Sequence, residues 1–288
     1  MILKSIRNAI TSMVIFFAVA LVVSLPALAQ QQQQQQPPPA AKPGQAPASQ
    51  NAPAEAPKVD PEEEKAYKAF TDASASQQPD AQIKLGEDFL AKYPQSKYAE
   101  QIYARLVQDY FNKQQLDKMY DAADKALALN PDDVSVLVLQ GWVIPHNYDP
   151  NDMNSERRLN KAEAEEKHAL EIIPNLPKPV NMTDDQFTKA KDLALSQAHS
   201  GLGLVDYRRQ DFAASITELE AGEKLATTPD PTDYFVMGIE LQALKRSGEA
   251  ADAFQKCAQI PGGLADRCKL KAEEAKKQAA AQPAAPKP

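Results

Sequence analysis

The fold of this chain is decided by residues 97–131, which read KYAEQIYARLVQDYFNKQQLDKMYDAADKALALNP. Large, mostly apolar side chains recur at helical spacing from Tyr103 to Tyr110, and a second stripe of the same kind runs from Leu116 to Leu129. That spacing predicts two amphipathic helices of about 14 residues each. A polar break separates the two stripes, and Pro131 ends the second, because proline cannot continue a helix. The stretch is therefore predicted to form a helical hairpin.

The sequence around this hairpin is also helical in character. After residue 60 it is dominated by Ala, Leu, Lys, Glu, Asp and Gln, and the whole chain holds only 10 glycines among 288 residues. Pro61 followed by three glutamates is typical of a first helical turn, and a further helix is predicted between Pro79 and Pro94. No run of alternating β-branched and aromatic residues predicts a strand. The predicted fold class is all-α.

Two-helix units that end in proline and recur about every 34 residues resemble tetratricopeptide repeats. That family places a tryptophan, a Leu-Gly pair and a tyrosine on helix A, and an alanine, a phenylalanine, a second alanine and a closing proline on helix B. In this chain the eight places of the central hairpin are filled by Tyr103, Leu106, Val107, Tyr110, Met119, Ala123, Ala126 and Pro131. The resemblance implies a helical-hairpin solenoid of about five repeats with a C-terminal capping helix, similar to exported bacterial proteins that contain such repeats.

The later units depart from the pattern in places. In the third, helix B reaches the alanine and proline places at Ala162, Ala169 and Pro174 only if about nine residues, 145–153, are inserted. The fourth carries the signature LGLVDYRRQDF at 202–212, and Thr183 followed by Gln186 predicts a capping box before it. The predicted units are 61–96, 97–131, 132–174, 183–228 and 231–262, with a cap at 263–280.

The N-terminal 29 residues have the features of a secretory signal peptide. Lys4 and Arg7 precede an apolar run from Ala9 to Leu25, and a small-x-small site lies at 27–29. The alternative is an uncleaved anchor, because about 17 apolar residues lie near the lower limit for crossing a bilayer. Residues 30–60, rich in Gln, Pro and Ala, are predicted to be a disordered tether, and 281–288 a disordered tail. We therefore expect a periplasmic or secreted protein, or one anchored in the inner membrane if the leader is retained.

The charge balance argues against two classes of partner. Removal of the leader takes away two cations and no anions, which leaves 30 Lys and Arg against 39 Asp and Glu and a net charge of −9. Nucleic acids and anionic lipids are bound through clustered Lys and Arg, and the nearest approach to such a cluster, residues 269–277, is interrupted by two glutamates. The predicted partner is therefore a protein or peptide and not a nucleic acid, with membrane contact only if the leader is not cleaved.

Catalytic motifs are absent from the sequence. It contains no phosphate loop, no nucleophile elbow and no spaced Cys/His set, so we predict a non-catalytic protein without a cofactor. Glu165 and His168 have the spacing of half a di-iron site, but there is no second copy of the motif. The acidic run around them, which includes Glu163 and Glu166, is interpreted as a solvated helix face.

Two further clusters have alternative interpretations. His146, Asp149 and Asp152 could together bind a divalent cation, but loops are also rich in such residues because they form turns, and the turn is the favoured interpretation. Cys257 and Cys268 are the only cysteines, in a chain expected to leave the cytoplasm. They could form a disulfide that holds the capping helix, or remain as two reduced thiols packed between helices.

The resemblance also implies a binding face. In this family one face of each helix A lines a groove that binds peptides. Carrying the register over to this chain gives a set of amides and apolar side chains: Gln101, Gln108, Phe111, Val138, Trp142, Gln197, Ser200, Leu204, Tyr207, Phe235, Ile239 and Gln242. Trp142 is expected to matter most, because it is the only tryptophan and aromatic side chains dominate interface energetics. No pair of cations in these places supports a clamp for a terminal carboxylate.

The function predicted from these features is an exported, non-catalytic scaffold that binds polypeptide along the concave face of a repeat array. One alternative is an envelope-assembly factor, because residues 89–96 resemble a Phe-Leu-x-x-Tyr-Pro-x-Ser stretch of periplasmic repeat proteins of that kind. Another is a solute- or metal-binding periplasmic protein that uses the loop after His146.

Overall fold

A computed structural model describes residues 60–281 of the chain, and within that range it contains eleven α-helices and no strand. The predicted all-α fold class is confirmed. The prediction for the leader, and nearly all of those for the tether and the tail, lie outside the described residues. The helices are α1 (Pro61–Ala75), α2 (Pro79–Lys92), α3 (Ala99–Asn112), α4 (Leu116–Leu129), α5 (Val134–His146), α6 (Ser155–Ile172), α7 (Asp184–Arg208), α8 (Phe212–Leu225), α9 (Pro231–Ala243), α10 (Ser247–Gln259) and α11 (Ala265–Ala281). None of these helices is long and apolar enough to cross a membrane.

The described residues divide into two compact units, 60–102 and 103–281. The first contains α1, α2 and the start of α3, and it is organised around aromatic rings. The ring of Tyr67 stacks on that of Tyr98 at a centroid distance of 3.8 Å, and Phe89 meets both rings edge-on. The Tyr67 hydroxyl also donates a hydrogen bond to Gln101 Oε1 at 2.6 Å. The core of this unit therefore consists of packed aromatic rings and the buried side chain of Phe70.

One turn conformation recurs between the two helices of four hairpins. Gln77, Gln114, Gln210 and Lys245 each adopt positive φ, between 53° and 66°. Each of these four residues lies two positions before the first residue of the helix that follows. A left-handed residue at this place ends helix A and redirects the chain into helix B, at some conformational cost for a residue with a Cβ. The third hairpin is the exception, because its connection contains the insertion.

The second unit, residues 103–281, holds α4 to α11 and most of α3. Its helices begin at side-chain caps that the sequence supplies. Asp133 Oδ1 accepts from the backbone N–H groups of Ser135 and Val136 at 3.0 and 3.2 Å. Thr183 and Gln186 form the predicted capping box, each side chain accepting from the other residue's backbone N–H. These caps satisfy N–H groups that would otherwise lack partners in the first turn.

The insertion in the third hairpin starts later than the sequence suggests. Helix α5 continues through Pro145 to His146, so the loop comprises residues 147–154. Pro145 lies in the last turn, where the missing N–H costs only one helical hydrogen bond. In the loop, Asp149 Oδ1 accepts from the backbone N–H of Asn151 at 3.0 Å, and Asp152 Oδ1 accepts from that of Asn154 at 2.9 Å. These two aspartate side chains therefore stabilise turns of the loop backbone.

Cys257 on α10 and Cys268 on α11 are joined by a disulfide, with their Cα atoms 5.8 Å apart. Both residues are fully buried, and the bond ties the last helix to the fifth hairpin. It closes a loop of 11 residues, and such a cross-link stabilises a fold mainly by restricting the unfolded chain.

Replacing both cysteines with serine is therefore expected to lower the free energy of unfolding by about 2 to 3 kcal/mol. Urea unfolding of the two proteins without reductant measures this difference. Alkylation of the denatured, non-reduced wild type serves as the control and is expected to label neither thiol. Labelling of both thiols would show that the bond does not form in the protein as produced.

Candidate functional site

Half-exposed aromatic rings lie on α3, α5 and α7 and in the loop after α5. We call this set the aromatic patch and define it as Phe111, Trp142, Tyr148, Tyr207 and the guanidinium of Arg208. The ring of Phe111 meets that of Trp142 edge-on, at a centroid distance of 6.3 Å and an interplanar angle of 81°. Two consecutive A helices, α3 and α5, thus present adjoining rings.

Arg208 connects the other members of the patch. Its Nε donates to the carbonyl oxygen of Pro145 at 2.9 Å, which ties α7 to the end of α5. Its guanidinium lies 5.5 Å from the ring centroid of Tyr148 and 5.4 Å from that of Tyr207. Both distances suit a cation–π contact. Arg208 therefore fixes the positions of two tyrosines, and burial lowers its pKa from the usual value.

His146 packs against Trp142, a member of the patch, and belongs to no metal-binding cluster among residues 60–281. Its ring lies against that of Trp142 at a centroid distance of 3.8 Å, and its Nδ1 is 2.7 Å from the Trp142 carbonyl oxygen. Burial lowers the pKa of His146 to about 4, so the ring is neutral at pH 7. Asp152, the other end of the proposed metal cluster, pairs with Arg158 at 2.9 Å. Residues 60–281 contain no group of three or more His, Cys, Asp or Glu side chains that could hold a metal ion.

Glu165 and His168, which have di-iron spacing, have separate partners. Glu165 Oε1 lies 3.6 Å from Nζ of Lys161 on its own helix, whereas His168 Nε2 lies 2.7 Å from Oδ1 of Asp132. The two side chains therefore serve different packing contacts.

Four of the twelve groove residues predicted from the register are buried. These are Val138, Ser200, Leu204 and Phe235. Ser200 Oγ donates to Asp233 Oδ1 at 2.9 Å, and the ring of Phe235 packs on Phe254 at 5.7 Å. In this conformation these four side chains support neighbouring helices and are not available to a ligand.

The other eight groove residues keep some exposure but differ in their contacts. Gln242 of α9 donates to Gln278 of α11 at 3.1 Å, and Gln108 donates to Asn112 at 3.1 Å. Gln101 belongs to the first unit, where it accepts from Tyr67. Gln197 and Ile239 are half-exposed. The remaining three, Phe111, Trp142 and Tyr207, belong to the aromatic patch. Phe111 meets Trp142, and Arg208 links Tyr207 to the end of α5.

A buried carboxyl group was missed by the sequence interpretation. Glu166 was assigned to a solvated helix face, and this is wrong: its side chain is 0% exposed, and neither carboxyl oxygen has a hydrogen-bond partner among the described residues. A Cβ built on Gly141 of α5 would lie 2.6 Å from Glu166 Cδ, and one built on Gly201 of α7 would lie 2.8 Å from the same atom. Two glycines therefore make the space that the carboxyl group occupies.

The repeat register contained a signal for this site. Ala162 and Ala169 fill the two alanine places of helix B. Glu166, four residues after the first and three before the second, therefore occupies the phenylalanine place. The same place holds Leu219 in the fourth hairpin and Phe254 in the fifth, and both are fully buried. An acidic residue in a core place of the repeat is the departure that marks Glu166.

Other carboxyl groups of the second unit are also buried. Burial, followed by repulsion from Asp124, raises the pKa of Glu165 to about 8, against the opposing effect of Lys161. The pKa of Glu240 is also about 8, chiefly because the group is buried. The nearby Ser215 hydroxyl acts in the opposite direction on the pKa of Glu240, although it is not in hydrogen-bond geometry. These groups lie between packed helices.

Comparison with solved structures identifies similar folds. PilW, a widely conserved type IV pilus biogenesis factor, matches with a TM-score of 0.51 and 15% identity over 77% of this chain and 89% of its own. TTC0263, a thermophilic TPR protein of Thermus thermophilus, matches with a TM-score of 0.45 and 15% identity over 75% of this chain and 99% of its own. No protein-family model and no curated protein matches the chain. Together with the recurring hairpins, the likeness to PilW shows that the chain has the tetratricopeptide-repeat fold.

Proposed function

We propose that the chain is a non-catalytic protein-interaction module that binds an extended polypeptide at the aromatic patch. The observation that carries the proposal is the position of Phe111, Trp142 and Tyr207, which are half-exposed on three A helices of one compact unit. Large aromatic side chains supply much contact area with few rotatable bonds, so they lose little conformational entropy on binding. Arg208, His146 and the helices themselves hold the rings in place.

The burial of three carboxyl groups with strongly raised pKa values supports a non-catalytic role. Glu166, Glu240 and Asp233 lie inside the helix packing. A general acid or base must reach its substrate within hydrogen-bond distance. These carboxyl groups would have to leave their helix interfaces to do so.

An envelope location is the second part of the proposal. It is supported by the predicted leader at 1–29 and by the structural likeness to PilW, a type IV pilus biogenesis factor. We propose that the chain works outside the cytoplasm, where it contributes to the assembly of an envelope structure by holding one of its polypeptides.

Replacing Trp142 with alanine is expected to weaken capture of the partner about 30-fold or more, because aromatic residues at the centre of an interface often contribute about 2 kcal/mol or more. Crosslinked pull-down from envelope extract, quantified at several bait concentrations, measures the change. Leu270→Ala is the matched control: Leu270 is 69% exposed on α11 and belongs to no part of the patch. Thermal melts check that both variants fold. Recovery by Trp142→Ala equal to that of wild type would contradict the proposed site.

A further inference from the structure

The carboxyl group of Glu166 occupies an interface between three helices. The residue belongs to α6, and its carboxyl carbon lies in the space that Gly141 leaves on α5 and Gly201 leaves on α7. No side chain larger than a hydrogen would fit at either glycine without moving Glu166. The group is therefore enclosed from both sides.

No cation balances this carboxyl group within residues 60–281. The titratable group that acts on it is Glu165 of its own helix, which is also a carboxyl group. From α5 and α7 the groups that meet it are the two glycines. The only titratable side chain of α5 is His146, which is neutral and stacked on Trp142. On α7, His199 pairs with Glu218 of α8.

Burial first, and Glu165 second, raise the pKa of Glu166 well above its usual value of 4.5. An ionised carboxylate in this enclosure would have neither water nor a hydrogen bond, and burying such a charge is strongly unfavourable. The closed arrangement of α5, α6 and α7 is therefore compatible with the acid form, and ionisation requires that the helices part enough to admit water.

We infer that Glu166 is a proton-binding site that holds α5 and α7 closed on α6 when protonated and favours their separation when the proton is lost. The link to the aromatic patch is direct in the chain, because Gly141 immediately precedes Trp142 on α5. Separation of α5 from α7 breaks the hydrogen bond between Arg208 Nε and the carbonyl oxygen of Pro145, which lies three residues after Trp142 on α5. The patch is thus assembled at lower pH and loosened at higher pH.

The regulatory part of this inference rests on the proposed function, whereas the proton site does not. In the opened form the carboxyl group is hydrated and has an ordinary pKa near 4.5. Between that pH and the raised pKa of the closed form, each opening event therefore releases one proton, and the open population rises about tenfold for each pH unit. This dependence gives the site a measurable signature without any partner.

The test is hydrogen exchange of the full chain between about pH 5.5 and 8.5, a window above the ordinary carboxyl pKa, followed by mass spectrometry on peptides covering residues 139–146 and 197–205. Rates are corrected for the intrinsic pH dependence of exchange. The open population of wild type is expected to rise by about tenfold more per pH unit than that of Glu166→Gln, which keeps the shape of the acid and cannot ionise. Glu166→Met, which also cannot ionise, replaces it if the glutamine variant does not fold.

Glu240→Gln is the matched control, since Glu240 is also 0% exposed and without a hydrogen-bond partner but belongs to α9. It is expected to leave the slope in these peptides unchanged. Equal slopes for wild type and Glu166→Gln would overturn the inference. So would an equal loss of slope in both glutamine variants, which would show global unfolding. If the slopes behave as expected but Trp142→Ala still captures partner normally, the proposed function alone fails.

Discussion

Replacing Glu166 with methionine is expected to raise the free energy of unfolding by about 2 to 4 kcal/mol at pH 8, because an apolar side chain of similar length replaces a buried carboxyl group without partners. Methionine is flexible enough to follow the path of the glutamate between the two glycines. The leucine and phenylalanine at the equivalent places of the next two hairpins indicate that the fold accepts an apolar residue there.

The gain should depend on pH in a defined direction. The pKa of Glu166 is raised in the folded protein relative to the unfolded chain, so the part of its destabilising effect that is linked to ionisation is absent below pH 4.5 and grows as pH rises toward the folded-state pKa. Urea unfolding of wild type and Glu166→Met at pH 4.5 and at pH 8, followed by the fluorescence of Trp142, measures the stability of the second unit in each protein. The expected result is a small difference at pH 4.5 and a large gain at pH 8. An equal gain in stability at the two pH values would show that the effect comes from packing and not from charge.

Replacing Phe254 with alanine is expected to have the opposite effect and to lower the free energy of unfolding by about 3 to 5 kcal/mol. The ring is 0% exposed, and a Cβ built on Gly238 would lie 2.6 to 2.7 Å from three of its carbons. It also meets the ring of Phe235 at 5.7 Å. Its removal therefore leaves a cavity between α9 and α10 that the surrounding helices cannot fill.

Chemical denaturation of Phe254→Ala, measured by circular dichroism, tests this expectation. Leu270→Ala provides the comparison, because truncation of an exposed side chain usually changes stability by about 0.5 kcal/mol or less. A loss below about 1 kcal/mol for Phe254→Ala would mean that the fifth hairpin is not packed as described.

The hairpins could be predicted from the sequence because their signals are local. Apolar spacing, closing prolines such as Pro131, and the Thr183 capping box act within one or two turns of helix, and each appears in the structure. The end of α5 was misplaced by two residues for the same reason. Pro145 is a local signal for a break, but in the last turn of a helix a proline removes only one hydrogen bond.

The site was only partly accessible to sequence reasoning. The register placed Phe111, Trp142 and Tyr207 on one face, and these side chains are half-exposed. Ser200 and Phe235 share that face and are buried against other helices. Which of these positions a neighbouring helix covers depends on packing between hairpins, which no local pattern encodes. Arg208 was missed because its contacts with Pro145 and Tyr148 join distant parts of the chain.

Glu166 shows the same limit in a sharper form. Charge alone predicted exposure, since acidic residues are almost never fully buried without a partner. The register predicted burial, because the residue lies at a core place of helix B. The register was the better guide, since two glycines on neighbouring helices leave room for the side chain.

The most direct test of the central claim, that the aromatic patch is where this chain holds polypeptide, is site-specific photocrosslinking. A photoreactive benzoylphenylalanine at position 111 keeps an aromatic ring at the edge of the patch, and the same group at position 270 reports on exposed surface elsewhere. Irradiation in envelope extract is expected to give defined polypeptide adducts from position 111, which disappear when Trp142→Ala is added, and none from position 270. Adducts of equal yield from both positions, or adducts from position 111 that persist in Trp142→Ala, would contradict the account.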